Sequence, residues 1–226
     1  MGVLVLGLYA EGRTDERFLP IIVRRTAEQI LLQHEQIDIE VLDPIIVKKT
    51  AGIQGRGNEI LQAAYDAEGY DALVVHSDSD NRTWEQTLQQ RFEPGKQLVQ
   101  SCTARVCQHV IPIITVRMVE AWLLADYDTL RKTLGTSLNA RDLNLPEKAR
   151  QIESIRDPKQ AIDLVIRNIY PNQTHQWTRI RGEIYAKLAP RIQLEQLEKL
   201  DAYKQFKEDL TNILQILGKI PAKHRL

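Results

Sequence analysis

With 226 residues, 43% apolar and 27% charged, the chain has the composition of an ordinary globular protein and the length to bury a real core. Thirty Lys and Arg against thirty Asp and Glu give a formal net charge of zero, which argues against a nucleic-acid footprint spread over the whole sequence. No repeat period, low-complexity tract or Gly/Ser-rich linker divides it.

The zero hides an asymmetry. Residues 1–130 carry 12 Lys and Arg against 19 Asp and Glu, whereas residues 131–226 carry 18 against 11. Either the halves attract one another across their interface, or the basic half faces an anionic partner. Cys102 and Cys107 fall in one predicted helix, five positions apart and on different faces. They offer neither a disulfide framework nor a zinc pattern, and read as free thiols in a reducing compartment. The opening apolar run, Val3 to Ala10, is far too short to span a bilayer and lacks a basic leader and a cleavage site. Leu6 stands where a myristoylation motif needs Ser or Thr. The expectation is a cytoplasmic protein with no membrane partner.

In chain order, Val3–Ala10 reads as a buried strand from its continuous apolar run. Glu11-Gly-Arg-Thr-Asp-Glu16 ends it, and Arg17 to Gln33 has helical periodicity. Thr14 is the expected N-cap, and Asp15 and Glu16 are first-turn acids suited to the helix dipole. Ile37–Val47 is the second predicted strand, brought near an edge or a bend by Pro44. A glycine-rich loop, Thr50–Gly57, leads into a helix from Asn58 to Glu68. The strand Ala72–Ser77 follows, then Asp78-Ser-Asp80, a helix from Thr83 to Phe92, a loop at Glu93-Pro-Gly95 and a helix from Lys96 to Gln108. Val110–Val116 is the fourth strand and Met118–Asp126 lies in a helix. Beyond Tyr127 strand signals stop. Helices are predicted from Pro158 to Ile169, Gln176 to Leu188 and Leu194 to Leu217, the last as one helix or a broken pair, followed by a polar tail over Lys219–Leu226.

Strands alternating with helices mean an α/β fold. Its mostly parallel four-stranded sheet is covered on both faces, over residues 1–126, and a helical part, 127–226, packs against it. Ligands of such sheets bind outside the carboxyl ends of the strands. Glu11, the Asp78/Asp80 pair and Arg117/Glu120 all fall there, so three separate stretches put acids at one edge. Residues i and i+2 of an extended chain point the same way, and two carboxylates that close repel unless a cation sits between them. Magnesium is the usual one, held by one or two carboxylates with waters left for a phosphate to displace. Read alone, Ser-Asp-Ser-Asp-Asn is equally a polar turn capping the next helix.

The other constellations each carry two readings. Glu11 is a general acid or base, or a third metal ligand, or simply part of an acidic capping loop. Glu120 either completes the acidic cluster or is a buried glutamate paired with Arg117 or Arg13. Asp126, six positions on, is off its face and cannot serve the same site. Gly52-Ile-Gln-Gly-Arg-Gly57 presents amides and Arg56 to a phosphate, or is a connection; it lacks the Gly-Lys-Ser/Thr ending of a P-loop. His76 is read as packing, turned away from Asp78. Arg179, Arg181, Lys187 and Arg191 form either a positive surface for a phosphate backbone or a solvated helix face.

Together the motifs resemble the TOPRIM-like fold, which places a glutamate-glycine turn after its first strand and an Asp-x-Asp after its third, here Glu11-Gly12 and Asp78-Ser79-Asp80. More narrowly, Glu11-Gly-Arg-Thr-Asp-Glu-Arg-Phe-Leu19, Arg117-Met-Val-Glu-Ala-Trp-Leu-Leu-Ala-Asp126, Asp157-Pro-Lys159 and Trp177…Arg181-Gly-Glu183 resemble the bacterial group catalogued as domain of unknown function 4276. The resemblance implies a Rossmann-like sheet and a Mg²⁺ (or Mn²⁺) site built from Glu11, Asp78 and Asp80. The glutamate would handle a proton and the aspartates hold the metal while a phosphodiester bond is made or broken. Relatives of overcoming-lysogenization-defect nucleases and of phage-defence effectors imply a nuclease with nucleic acid as substrate and an ATPase as protein partner. Asn81-Arg82 follow Asp80, so a further ligand in that block would be neutral. The rival expectations are a non-catalytic interaction module that keeps the fold, and a nucleotide-binding regulator using Gly52–Gly57.

Overall fold

The computed structural model describes residues 2–222; positions 223–226 of the expected polar tail lie outside the described residues. The first apolar run forms two strands in line, β1 (Gly2–Leu4) and β2 (Leu6–Tyr9). They part at Val5, because Asp71 takes over its backbone pairing. The Val5 N–H donates to Asp71 Oδ2 at 2.8 Å, and the Asp71 N–H donates to the Val5 carbonyl at 2.9 Å. The expected second strand is likewise two pieces, β3 (Ile39–Val41) and β4 (Ile45–Ile46), separated by Pro44, which has no N–H for a ladder. β3 pairs with β1, and β4 with β2. β5 (Ala72–Asp78) lies between β2 and β6 (Val110–Thr115), giving a four-stranded sheet of order β4-β2-β5-β6 with every pair parallel.

Alternation along these strands sorts two apolar faces. Leu6, Leu8, Val74, Ile111 and Ile113 face one cluster, with Phe18 and Ile22 of α1 (Asp15–Gln33) and Trp122 of α5 (Glu120–Ala125). The same cluster runs on into α7 (Pro158–Ile169), α8 (Trp177–Leu188) and α10 (Asp201–Ile216), where Trp122 meets Tyr203 edge-on at 5.3 Å. Tyr9, Leu73, Val75 and Val110 face the other cluster, against Ile60 of α2 (Arg56–Asp66), Phe92, and Val99 of α4 (Glu93–Ser101).

Several element boundaries differ from expectation, for local reasons. α1 is opened by the Asp15 side chain, which accepts from the Gly12 N–H at 2.9 Å; Thr14 makes no cap bond. After α3 (Trp84–Thr87), opened by a Thr83/Gln86 capping box, the chain makes a π-helical turn over Leu88–Phe92 and passes straight into α4. The loop expected at Glu93-Pro-Gly95 is therefore helix. Pro94 is tolerated in a first turn, and a Cβ on Gly95 would lie 2.6 Å from Cβ of Ile60, so glycine is what lets α2 and α4 touch. Cys102 caps α4 and Cys107 lies in the extended run before β6, so the two do not share a helix; both are free. Asp126 ends α5 by capping α6 (Tyr127–Leu134), accepting from the Thr129 N–H at 3.1 Å. The last predicted helix is a broken pair, α9 (Leu194–Leu197) and α10.

The charge asymmetry is not absorbed by pairing between the halves. Among the described residues, Lys219–Asp71 at 3.6 Å and the one-helix pair Arg131–Asp128 are the ion pairs that join residues 1–130 to later ones. The halves are tied instead by arginines donating to carbonyls, Arg17 to Gly182 at 3.0 Å and Arg25 to Ala189 at 2.7 Å.

Candidate functional site

The carboxyl ends of β2, β5 and β6 open on one edge of the sheet and deliver Glu11, Asp78 and Thr115 there. Asp80 arrives on a tight turn. Its φ is 53° and that of Arg117 is 63°, both in the left-handed region that side chains avoid. The two are cross-linked: the Asp80 N–H donates to the Arg117 carbonyl at 3.1 Å, and the Arg117 N–H donates to Ser79 Oγ at 2.7 Å. Strain of this kind persists only where the surroundings hold it, and it gathers at functional sites.

The acids converge on a guanidinium. Arg91, in the π-helical turn, lies 2.5 Å from Glu11 Oε1 and 3.6 Å from Asp80 Oδ2, and donates to the Asp78 carbonyl at 3.2 Å. Arg56 stands on the other side of Glu11 at 3.7 Å. It stacks over the Tyr9 ring at 5.0 Å and donates to Glu59 at 3.0 Å, to Ser77 Oγ at 3.1 Å and to the His76 carbonyl. The glycine loop thus delivers the Arg56 side chain into the site.

Behind this rim is a second, sealed network. Asp78 Oδ1 accepts from Thr115 Oγ1 at 2.5 Å and lies 3.2 Å from His76 Nε2, while His76 Nδ1 is 3.5 Å from Asp15 Oδ2. His76 is wholly buried and Asp15 nearly so. The expectation that His76 turns away from Asp78 is overturned, since residues two apart in a strand share a face. Burial opposes the charged imidazolium, but Asp78, Asp15 and Glu11 around it raise its pKa on balance. Burial likewise pushes Asp78 up, yet His76, Thr115 and the Val119 N–H together hold it below the usual carboxylate range. For Asp15 burial wins, with Asp78 adding repulsion, and its pKa rises to about 6.

Glu120 is buried beside this network and not on the rim; it accepts from Tyr185 Oη at 2.6 Å and pairs with neither Arg117 nor Arg13. Burial and the Glu120 carboxylate both raise Tyr185, keeping it a donor. Asp126, as expected, is elsewhere, accepting from the Thr129 and Gln193 N–H groups. The basic set on α8 is largely neutralised: Arg179 and Lys187 flank Glu183 at 3.0 and 2.7 Å, and Arg181 pairs with Asp163 at 3.0 Å.

Of the three acids expected to share a metal, Glu11 and Asp80 share the Arg91 guanidinium, while Asp78 is committed to Thr115 and His76. Among the described residues no three His, Cys, Asp or Glu side chains are grouped to hold a metal ion. In kind, two carboxylates gathered on one cation suit magnesium, which keeps several waters of its own. Sequence reasoning missed Arg91 and undervalued Asp15. The first carries no motif; the second was visible as a helix-start acid but not as the partner of a buried histidine.

No curated protein and no solved structure matches the chain. A family model, Domain of unknown function (DUF4276), matches residues 10–200, a span that holds Glu11, Asp15, His76, Asp78, Asp80, Arg91 and Glu120 alike, and the chain belongs to that family.

Proposed function

We propose that this sheet edge processes phosphodiester bonds with Mg²⁺ or Mn²⁺ in the TOPRIM manner, as a nuclease of phage defence that acts with an ATPase partner. One observation carries the reading: carboxylates from the ends of two adjacent strands, Glu11 and Asp80, converge on a single cationic centre. The nuclease, the defence role and the partner rest on the resemblance of Glu11-Gly12 and Asp78-Ser79-Asp80 to TOPRIM motifs.

Glu11 and Asp80 are the residues that would hold the ion, with Asp78 beside them. A bound Mg²⁺ would polarise a phosphoryl oxygen and lower the pKa of a bound water. The chain's own groups do the rest. Thr115 and His76 fix the Asp78 side chain, the cross-linked turn fixes Asp80, and Arg56 and Arg91 place positive charge where a phosphate would approach. EDTA should abolish cleavage of a nucleic-acid substrate, and so should Asp80→Asn. Cleavage that survives either treatment defeats the proposal.

A second reading, a non-catalytic module that keeps the fold, draws on one specific fact: Glu11 is already flanked by two arginines. Calorimetric titration with Mn²⁺ separates the two, because such a module has no binding that depends on Asp80.

A further inference from the structure

Arg91 is placed more specifically than a source of positive charge at the rim needs to be. It reaches all three acidic segments at once, through Glu11 Oε1, Asp80 Oδ2 and the Asp78 carbonyl. It is also placed there by an irregularity. The five residues Leu88–Phe92 form a π-helical turn between two α-helical segments, a geometry frequent at functional sites. The turn buries Phe92 to 1% exposure in the core under α2, while its neighbour Arg91 points the other way, toward the strand ends. A plain α-helix would rotate one of these two side chains out of place.

We propose that Arg91 is a built-in stand-in for the cation: its guanidinium occupies the space between Glu11 and Asp80 and is handed over to a phosphate group when a divalent ion enters. The inference rests on the metal-site reading above. A guanidinium and a divalent cation cannot both take the same two carboxylates, so each must weaken the other's hold. Once freed, the fork of Arg91 matches a phosphate's geometry, and it hangs at the rim where a phosphate would arrive. Phosphate and metal therefore become coupled ligands through one side chain, and the coupling is reciprocal. When nothing is bound, Arg91 also supplies the nearest compensating charge to both carboxylates, ahead of Arg56 at 3.7 Å from Glu11 and Arg82 at 3.9 Å from Asp80.

The test is calorimetric titration of Mn²⁺ into the wild type, Arg91→Ala and Asp80→Asn, each with and without inorganic phosphate. In phosphate-free buffer Arg91→Ala should bind Mn²⁺ about tenfold more tightly than the wild type, as a lost charge-assisted hydrogen bond implies. Phosphate should tighten Mn²⁺ binding to the wild type and leave Arg91→Ala nearly unmoved. Should Arg91→Ala not melt cooperatively, Arg91→Gln keeps the packed stem and carries the same comparison. Equal or weaker Mn²⁺ binding by the arginine variant, with Asp80-dependent binding in the wild type, overturns the stand-in role and leaves the metal site standing. A phosphate effect that persists without Arg91 overturns the hand-over. If no protein binds Mn²⁺ through Asp80, the metal-site reading fails and this one falls with it.

Discussion

Two charged networks meet at the end of β5 and differ in almost every physical respect. One is sealed: Asp15, His76 and the Thr115-bound oxygen of Asp78 lie where water does not reach His76 at all. The other is open: the Arg91 guanidinium holds Glu11 and a half-exposed Asp80 at the rim. A buried charge left without its partner is strongly destabilising, whereas an exposed pair contributes little and is weakened by salt. The sealed network therefore sets the position of Asp78, and the open one is free to rearrange. Rigidity and exchange are divided between two layers of one site.

The largest effect should come from His76→Leu. It removes the imidazole between Asp15 and Asp78, leaving the two carboxylates only the hydrogen bonds from Gly12, Thr115 and the Val119 N–H, and should cost about 3–5 kcal/mol by urea unfolding. A loss as small as that of a rim substitution would mean the sealed network is not sealed.

Next comes pH. The folded Asp15 has its pKa raised to about 6 from an ordinary 3.8, so the folded state binds more protons than the unfolded state between those values. Stability contributed by this group is present below the lower value and is lost as pH rises through the upper one, by on the order of 3 kcal/mol. Asp15→Asn should remove that loss from a plot of unfolding free energy against pH from 4 to 7. Asp78, held low, has the opposite sign: its stability is present at neutral pH and lost on acidification, so Asp78→Asn should tilt the same curve in the direction opposite to Asp15→Asn.

Smaller again is Tyr185→Phe, which takes the donor from buried Glu120 and should cost about 1–2 kcal/mol in thermal or urea melts. Arg91→Ala should shift stability least, by under about 1 kcal/mol, and its effect should fade in high salt where that of His76→Leu does not.

Much of the fold was legible. The continuous apolar runs marked the parallel strands, because a sheet covered on both faces needs no alternation of polar residues. The carboxyl-edge rule then brought Glu11, Asp78 and Asp80 together from segments nearly seventy residues apart. What escaped was decided by contacts that no local pattern records. The break at Val5 depends on Asp71, the helix through Pro94 and Gly95 depends on Ile60, and the cation at the rim comes from Arg91 on a turn with no regular period. His76 was legible in principle, since strand parity alone puts it on the face of Asp78.

The mirror-image backbone at positions 80 and 117 has a practical consequence for anyone probing the rim. Aspartate and asparagine accept that conformation more readily than other residues with side chains, and arginine does so at a steric cost of about 1–2 kcal/mol. An alanine at position 80 would remove a charge and disturb the chirality of the turn at once, so its phenotype would mix two causes. Asparagine there changes charge alone. Glycine at position 117 would relax the strained turn beside Asp80 while keeping every carboxylate in the sequence, which makes the shape of the turn a variable that can be tuned separately from its acids.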